Sequence, residues 1–146
     1  MTIPLATGDR ATFRKTVGES DVYLFSGITG DFSPNHIDEI AMQRSPYGHR
    51  VAHGALIIGY MSAASTRILA DLDHARTNSM PVSLGYDRVR FLKPVFIGDT
   101  IEVRYQVTTI DSERLRTISD ITVVNQHGET VAVAQHVLRF LPVSSN

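Results

Sequence analysis

The segment HGALIIGYMSAASTRILA, residues 53–70, constrains the fold more than any other stretch of the chain. From Gly54 onward it has the length of a helix, and apolar or small residues occupy nearly every face of that helix. Such a helix must be buried on nearly all sides. It is too short and too polar to cross a membrane, because hydroxyl side chains and Arg67 interrupt its apolar run. The sequence therefore predicts a central helix enclosed by the rest of a domain.

The second half of the chain indicates what encloses that helix. Four stretches there have strand character, and residues 100–108 alternate cleanly between apolar and polar side chains. Turn-forming residues separate the stretches, as at 125–128. A buried helix followed by a run of antiparallel strands predicts an α+β fold, in which a curved antiparallel sheet wraps around a long central helix. The predicted strands cover residues 82–91, 100–108, 117–124 and 130–140.

A second, shorter helix is predicted at residues 19–28. Val22, Phe25 and Ile28 share one of its faces, and Gly30 stands where a C-terminal cap glycine belongs. Residues 31–52 contain prolines and a glycine that break any periodic pattern, so we expect irregular structure there. The predicted order is a short helix, an irregular segment and then the central helix.

The length and the amino-acid composition are those of one ordinary folded domain over residues 1–146. Apolar residues make up 42% and charged residues 20%, which is not the composition of a disordered chain. The net charge of -1 provides no basic footprint for nucleic acid or a membrane surface. The chain has no cysteine, which excludes disulfides and cysteine nucleophiles and fits a reducing compartment. No apolar leader is visible at the N-terminus, so we expect a cytoplasmic protein.

The predicted sheet has open edges. An outer strand without a neighbour exposes backbone N–H and C=O groups that can pair with another chain. Most soluble oligomers are symmetric assemblies of one chain, so we expect a second copy to extend the sheet in a homodimer.

Residues 30–39, GDFSPNHIDE, place Asp31 and His36 five positions apart across Pro34. A carboxylate accepts a proton from water, and a neighbouring imidazole holds that water or donates a proton near neutral pH. Pro34 stiffens the loop, so the two side chains can converge on one point. The alternative is that Asp31 only forms a turn and His36 is a surface residue. Spacing alone does not decide between the two.

His53 and Gly54 stand at the start of the central helix. Free backbone N–H groups and the helix dipole favour negative charge there, so an enolate-like or thioester oxygen could bind as in an oxyanion hole. A glycine would also let a ligand approach the backbone closely. The alternative is that Gly54 is needed only because the helix packs tightly against the sheet.

Three further groups have weaker signals. His49 and His53 are four residues apart, like metal ligands on one helical turn, but no acidic residue lies between them and we expect no metal site. Ser62 lies on the same face of the central helix as Gly54, where it either bonds a ligand or back-bonds to the helix. The basic stretch at residues 88–95 could bind a phosphate-bearing carrier, although a solvated strand face is its ordinary explanation.

Three segments, in this order and at this spacing, resemble the MaoC-like (R)-specific enoyl-CoA hydratases of the hot-dog fold. They are SGITGDFSPNHID at 26–38, HRVAHGALIIGYMS at 49–62 and VRFLKPVFIGDTIEV at 89–103. The similarity covers about residues 5–141, and the combination is far more specific than any one motif. It implies a long central helix in a curved antiparallel sheet, a homodimer with two active sites, and a pantetheine tunnel at the subunit interface.

The resemblance also implies roles for individual residues. By position, Asp31 and His36 match the family's catalytic pair, which holds and activates water. Gly54 matches the residue whose backbone N–H polarises the thioester carbonyl, and Ser62 matches a serine beside the catalytic histidine or the acyl pocket. We expect His53 to contact the substrate as well.

The sequence departs from the family pattern D-x-N-P-x-H at two positions. Ser33 replaces the asparagine, and Asn35 stands where an apolar residue is usual. Both changes leave the catalytic pair intact and bear on acyl-chain specificity, since a substrate-binding Asn35 would favour a polar acyl group. Residues 71–81 also form an extended segment relative to short-chain members.

The implied reaction is reversible addition of water across a trans-2-enoyl thioester to give the (R)-3-hydroxyacyl thioester. No cofactor is implied beyond the CoA or acyl-carrier pantetheine that is part of the substrate. One alternative is a hot-dog thioesterase, but such enzymes usually set their carboxylate on or near the central helix, and residues 55–70 contain no Asp or Glu. The other alternative is a non-catalytic acyl-thioester-binding subunit, which would be expected to have lost the catalytic pair.

Overall fold

The computed structural model describes residues 3–70 and 78–143. It confirms the predicted α+β fold, with a five-stranded antiparallel sheet and one long helix. None of the helices in these two ranges has the length and apolar character that a membrane span requires. The elements in chain order are β1 (Arg10–Thr16), α1 (Glu19–Thr29), α2 (Pro34–Ile37), α3 (Glu39–Gln43), α4 (Gly54–Ala70), β2 (Ser79–Phe91), β3 (Thr100–Asp111), β4 (Arg116–Val124) and β5 (Thr130–Pro142).

The sheet has the strand order β1-β3-β4-β5-β2, so β1 and β2 form its edges. Four of the strands fall where alternation predicted them. The strand β1 was not predicted, because Arg10, Thr12 and Arg14 are exposed and only Phe13 provides a large apolar side chain toward the interior. A strand with so little apolar alternation is held by its pairing with β3 rather than by an evident sequence pattern.

The helix α4 packs across β1 and β3 and forms the centre of the core. Ile57, Met61 and Ala64 are buried on the side of α4 that faces the sheet. The inward positions of β3 are buried in strict alternation and lie against this side. They are Ile101, Val103, Tyr105 and Val107. The predicted central helix is thus confirmed.

One stripe of α4 is not enclosed. Ala55, Gly59, Ser62 and Thr66 follow each other at intervals of three or four residues, and all four are exposed. The prediction of a helix buried on nearly every side is therefore wrong for the isolated chain, because the sheet covers only part of the helix circumference. The small side chains of the stripe leave it open to close approach by another surface.

The predicted helix at residues 19–28 is confirmed as α1, with Gly30 as its left-handed C-cap (φ 79°). Its buried face differs from the prediction: Val22 and Ser26 are fully buried, whereas Ile28 is 81% exposed. Ser26 turns inward because its hydroxyl contacts the buried ring of His53, at 3.2 Å from Nε2.

The segment predicted to be irregular, residues 31–52, contains the two short helices α2 and α3. Arg50 ties this segment to α1, since its guanidinium lies 2.8 Å from Glu19 and 3.3 Å from Glu39. The neighbouring Glu19 carboxylate raises the pKa of Arg50. The ion pairs fix a long connection that sequence periodicity could not describe. The polar connection at residues 71–78 lies almost entirely outside the described residues.

A second buried histidine lies on the sheet, between residues of β2 and β3. His136 is fully buried on β5, with its ring nitrogens 3.0 Å from the Tyr105 hydroxyl and 2.8 Å from the Ser83 hydroxyl. Tyr86 stacks on its ring at 4.3 Å. Burial lowers the pKa of His136 to about 4, so the imidazole is neutral at pH 7 and one hydroxyl donates to it while the other accepts.

The open edge at β2 predicts how two copies of the chain associate. The 13-residue strand β2 pairs only with β5 among the described residues, and Leu84 in it is 48% exposed. We expect a homodimer at micromolar concentration, with a mass by light scattering of twice 16.1 kDa. Leu84→Lys should shift the population toward monomer, because a lysine on an edge strand opposes pairing with another chain.

Leu24→Lys is the matched control, since Leu24 on α1 is 67% exposed and lies outside β2. It should leave the dimer intact. A monomeric wild-type protein would contradict the expectation, and dissociation by Leu24→Lys alone would place the interface at α1 instead.

Candidate active site

The structure brings the predicted pair Asp31 and His36 together. Asp31 follows the cap of α1, and Pro34 opens α2, in which His36 lies. The Ser33 N–H donates to a carboxylate oxygen of Asp31 at 3.2 Å, and the His36 N–H donates to the Ser33 carbonyl at 2.9 Å. Because proline is favoured in the first turn of a helix, the short helix α2 begins where the sequence puts it and turns His36 back toward Asp31.

The proton on His36 can be placed from its neighbours. Nδ1 lies 2.6 Å from the main-chain carbonyl of Val51. A carbonyl only accepts, so Nδ1 carries the hydrogen and Nε2 of the neutral ring is left with a free lone pair. Val51 also donates its own N–H to the Asn35 carbonyl at 3.0 Å, which joins α2 to the segment before α4.

His53 lies beneath this pair. Its ring stacks on His36 with centroids 3.7 Å apart and planes inclined by 28°. Its side chain is buried, and Nε2 contacts the Asp31 main-chain carbonyl at 3.1 Å as well as Ser26. The structure therefore places His53 under the predicted catalytic residues and away from the surface that a substrate would reach.

Asp31, His36 and His53 form a compact cluster. One oxygen or nitrogen atom from each lies within 4.8 Å of the other two. These separations could also suit a metal ion, but the two imidazoles lie nearly face to face, so their in-plane lone pairs do not converge at the roughly 2 Å of a metal–nitrogen bond. The arrangement of an exposed carboxylate beside a free imidazole nitrogen is suited to holding and deprotonating a water molecule.

A cavity of about 210 Å³ opens beside the cluster. Asn35, His36 and Gly54 all line it, so three predicted site residues share one space. Its other walls are largely apolar and include Ile57 and Phe91. A larger groove of about 440 Å³ crosses the outer face of β1, β3 and β4, but it contains none of the predicted residues and is lined mainly by polar strand positions.

Both explanations of the glycine at position 54, tight packing and an available backbone N–H, have support in the structure. A Cβ atom built there would lie 2.5 Å from the ring of Phe91, so any larger residue would have to displace that ring, and tight packing favours a glycine. Gly54 is also the first residue of α4, and none of the hydrogen bonds found between described residues uses its N–H. That N–H is therefore free to bind an oxygen in the adjoining cavity.

The remaining predicted residues lie apart from the cluster. Ser62 is exposed on α4, eight residues and roughly 12 Å along the helix from Gly54. His49 is exposed and lies 2.8 Å from the Glu39 carboxylate, so it does not join His53. Lys93 lines the cavity and forms an ion pair with Glu129.

Three residues of the site had no predicted role. Val51 acts through its carbonyl, which every residue possesses, so no sequence signal marks it. Phe91 covers Gly54 and lines the cavity, which only the tertiary structure reveals. Ser26 had a weak signal, as a polar residue one turn from Val22 on the inner face of α1.

Comparison with known proteins identifies the family and the fold of the chain. The family described as MaoC like domain matches residues 5–131. The (R)-specific enoyl-CoA hydratase of Rhodospirillum rubrum is 34% identical over 107 residues, covering 73% of this chain and 69% of that protein. The 3-hydroxybutyryl-CoA dehydratase of Methylorubrum extorquens is 34% identical over 113 residues, covering 77% and 66%. An unliganded R-hydratase structure from Pseudomonas aeruginosa superposes with a TM-score of 0.76 at 26% identity, covering 97% and 88%.

A double-variant cycle tests the contact between Gly54 and Phe91. Gly54→Ala should lower the free energy of unfolding by about 1–3 kcal/mol, because the new methyl group overlaps the ring. Phe91→Leu alone should lower the free energy of unfolding by less, since Phe91 is 52% exposed. Combined with Gly54→Ala, it should restore much of the stability that Gly54→Ala loses. Urea unfolding of the four proteins measures the coupling, and strictly additive effects would contradict the contact.

Proposed function

Because the chain belongs to the family of MaoC-like domains and has their hot-dog fold, we propose that it hydrates trans-2-enoyl thioesters reversibly to (R)-3-hydroxyacyl thioesters. One observation carries the proposal: a carboxylate and an imidazole with a free Nε2 lie within 4.8 Å of each other, and the imidazole shares a cavity with a free helix N–H. The relatives named as enoyl-CoA hydratase and hydroxybutyryl-CoA dehydratase support the same class of reaction in its two directions.

The chemistry follows from where charge develops. A water oxygen bonds to C3, and the electrons of the C2–C3 double bond move toward the thioester oxygen. Asp31 accepts a proton from the water, while Nε2 of His36 accepts the other hydrogen bond from it and holds it in place. The proton that Asp31 accepted is then delivered to C2 with the help of His36, so one water is added in total and both side chains recover their original protonation.

The Gly54 N–H stabilises the enolate-like oxygen in this scheme. Its position at the start of α4 adds the positive end of the helix dipole to the hydrogen bond. A single preorganised donor of this type lowers a barrier by about 3 kcal/mol. The reaction requires no cofactor, since the CoA or acyl-carrier pantetheine arrives as part of the substrate.

The specificity for the acyl group depends on the cavity wall. Asn35 lines the cavity beside His36, where the family usually has an apolar residue, which favours an acyl chain with a polar group near the reacting carbons. The homodimer, the role of Ser62 and the cytoplasmic location stay predictions from the sequence.

The competing functions are less well supported. A thioesterase that activates water from the central helix would need a carboxylate there, and α4 contains none. A non-catalytic acyl-binding subunit would have no reason to hold a carboxylate and a free imidazole nitrogen around one point.

The catalytic pair can be tested by conservative substitution. Asp31→Asn and His36→Gln should each lower kcat for crotonyl-CoA hydration by about 100-fold or more, because each removes one proton-handling group. Loss of the enoyl-thioester absorbance measures the rate. His49→Gln is the control, since His49 is an exposed histidine paired with Glu39 outside the cavity, and its kcat should stay at the wild-type value.

Thermal unfolding of the same variants separates chemistry from folding. The melting temperatures should change little, because Asp31 is exposed and its carboxylate accepts only one hydrogen bond from a described residue. Near-wild-type hydration by either Asp31→Asn or His36→Gln would contradict the proposed mechanism.

A further inference from the structure

His53 joins four parts of the structure that meet at the site. It precedes α4, contacts Phe25 and Ser26 of α1, stacks on His36 of α2 and bonds to the carbonyl of Asp31. Only 1% of it is exposed, and it does not line the cavity beside the catalytic pair. Its burial leaves the His53 side chain no direct contact with a substrate in the cavity.

The contacts determine the form of the His53 ring. The Asp31 carbonyl at 3.1 Å only accepts, so Nε2 must carry the hydrogen. The other nitrogen, Nδ1, is buried and has no partner among the described residues. The contacts thus favour the tautomer that carries its hydrogen on Nε2.

The two catalytic groups depend on this ring in different ways. The hydrogen bond from His36 to Val51 fixes the position of Nδ1 but allows the imidazole to rotate about that bond, and the stacked His53 ring defines its plane. Asp31 is exposed, and its carboxylate accepts only from Ser33 among the described residues. The main chain that carries this carboxylate is held by the hydrogen bond from His53 to the Asp31 carbonyl and by the one from the Asp31 N–H to the Thr29 hydroxyl at 3.3 Å.

We infer that His53 is a positioning residue. The His53 Nε2–H holds the main chain of Asp31, and the face of the His53 ring orients His36, so that both side chains can contact one water molecule. The inference rests on the proposed hydratase function and extends it to a residue that never touches the substrate. A misplacement of catalytic groups by about 1 Å lowers a rate by about 100-fold, so the effect should appear in kcat.

Three substitutions separate the two contributions. His53→Phe keeps an aromatic face without the donor, His53→Gln keeps a donor near the position of Nε2 without the aromatic face, and His53→Leu keeps neither. With crotonyl-CoA, His53→Leu should lower kcat by about 10- to 100-fold and change KM by less than about threefold. The other two should each recover part of kcat.

His136→Leu is the matched control, because His136 is an equally buried histidine that also stacks on an aromatic ring and bonds two neighbours, outside the cavity. It should lower the melting temperature to a similar extent while kcat stays within about threefold of wild type. A wild-type kcat for His53→Leu, or equal kcat losses for His53→Leu and His136→Leu, would overturn the inference.

A measurement on the wild-type protein covers the cases in which a variant fails to fold or crotonyl-CoA is not hydrated. Nitrogen-15 chemical shifts of the histidine rings report which nitrogen carries the hydrogen. The inference requires the Nε2–H form for His53 and the Nδ1–H form for His36 at pH 7. The opposite form of His53 would overturn it, whereas failure to hydrate any enoyl thioester would overturn the proposed function alone.

Discussion

The packing around the start of α4 is the constraint on which the rest of the site depends. His53 and Gly54 are adjacent, yet one is buried beneath the catalytic pair and the other is covered by Phe91 of β2. The helix cannot shift without breaking the hydrogen bond to Asp31 or colliding with the ring, so the sheet, the helix and the loop fix one another. Burial of α4 against β1 and β3 stabilises the helix. Because the helix is held rigidly, the residues at its start keep the functional groups aligned.

The departures from the family pattern fall where the loop contacts are made by the main chain. Ser33 binds Asp31 through its backbone N–H, and Asn35 binds Val51 through its carbonyl. Any side chain compatible with α2 preserves both contacts, so these positions can vary without disturbing the catalytic pair. The Asn35 side chain is not needed for these contacts, and it lines the cavity. We therefore connect the asparagine at this position with acyl specificity rather than with the chemical step.

Sequence reasoning succeeded where the determining signal is local. Apolar alternation and helical periodicity predicted four strands and α4, whereas β1 escaped because Phe13 alone carries its inward pattern. Asp31 and His36 are close in the chain, so a short motif indicated them. Ser26 lies 27 residues from His53, and the partner of His36 is a backbone carbonyl 15 residues away, so neither contact has a side-chain pattern that a sequence could reveal.

The central claim is that water adds to the double bond of the substrate and that the thioester stays intact. The most direct test follows crotonyl-CoA in one sample by two signals, the enoyl-thioester absorbance and the release of free thiol. We predict that the absorbance falls to an equilibrium value while no thiol appears, and that the product is (R)-3-hydroxybutyryl-CoA. Thiol release in step with the loss of absorbance, or formation of the (S) product, would contradict the account.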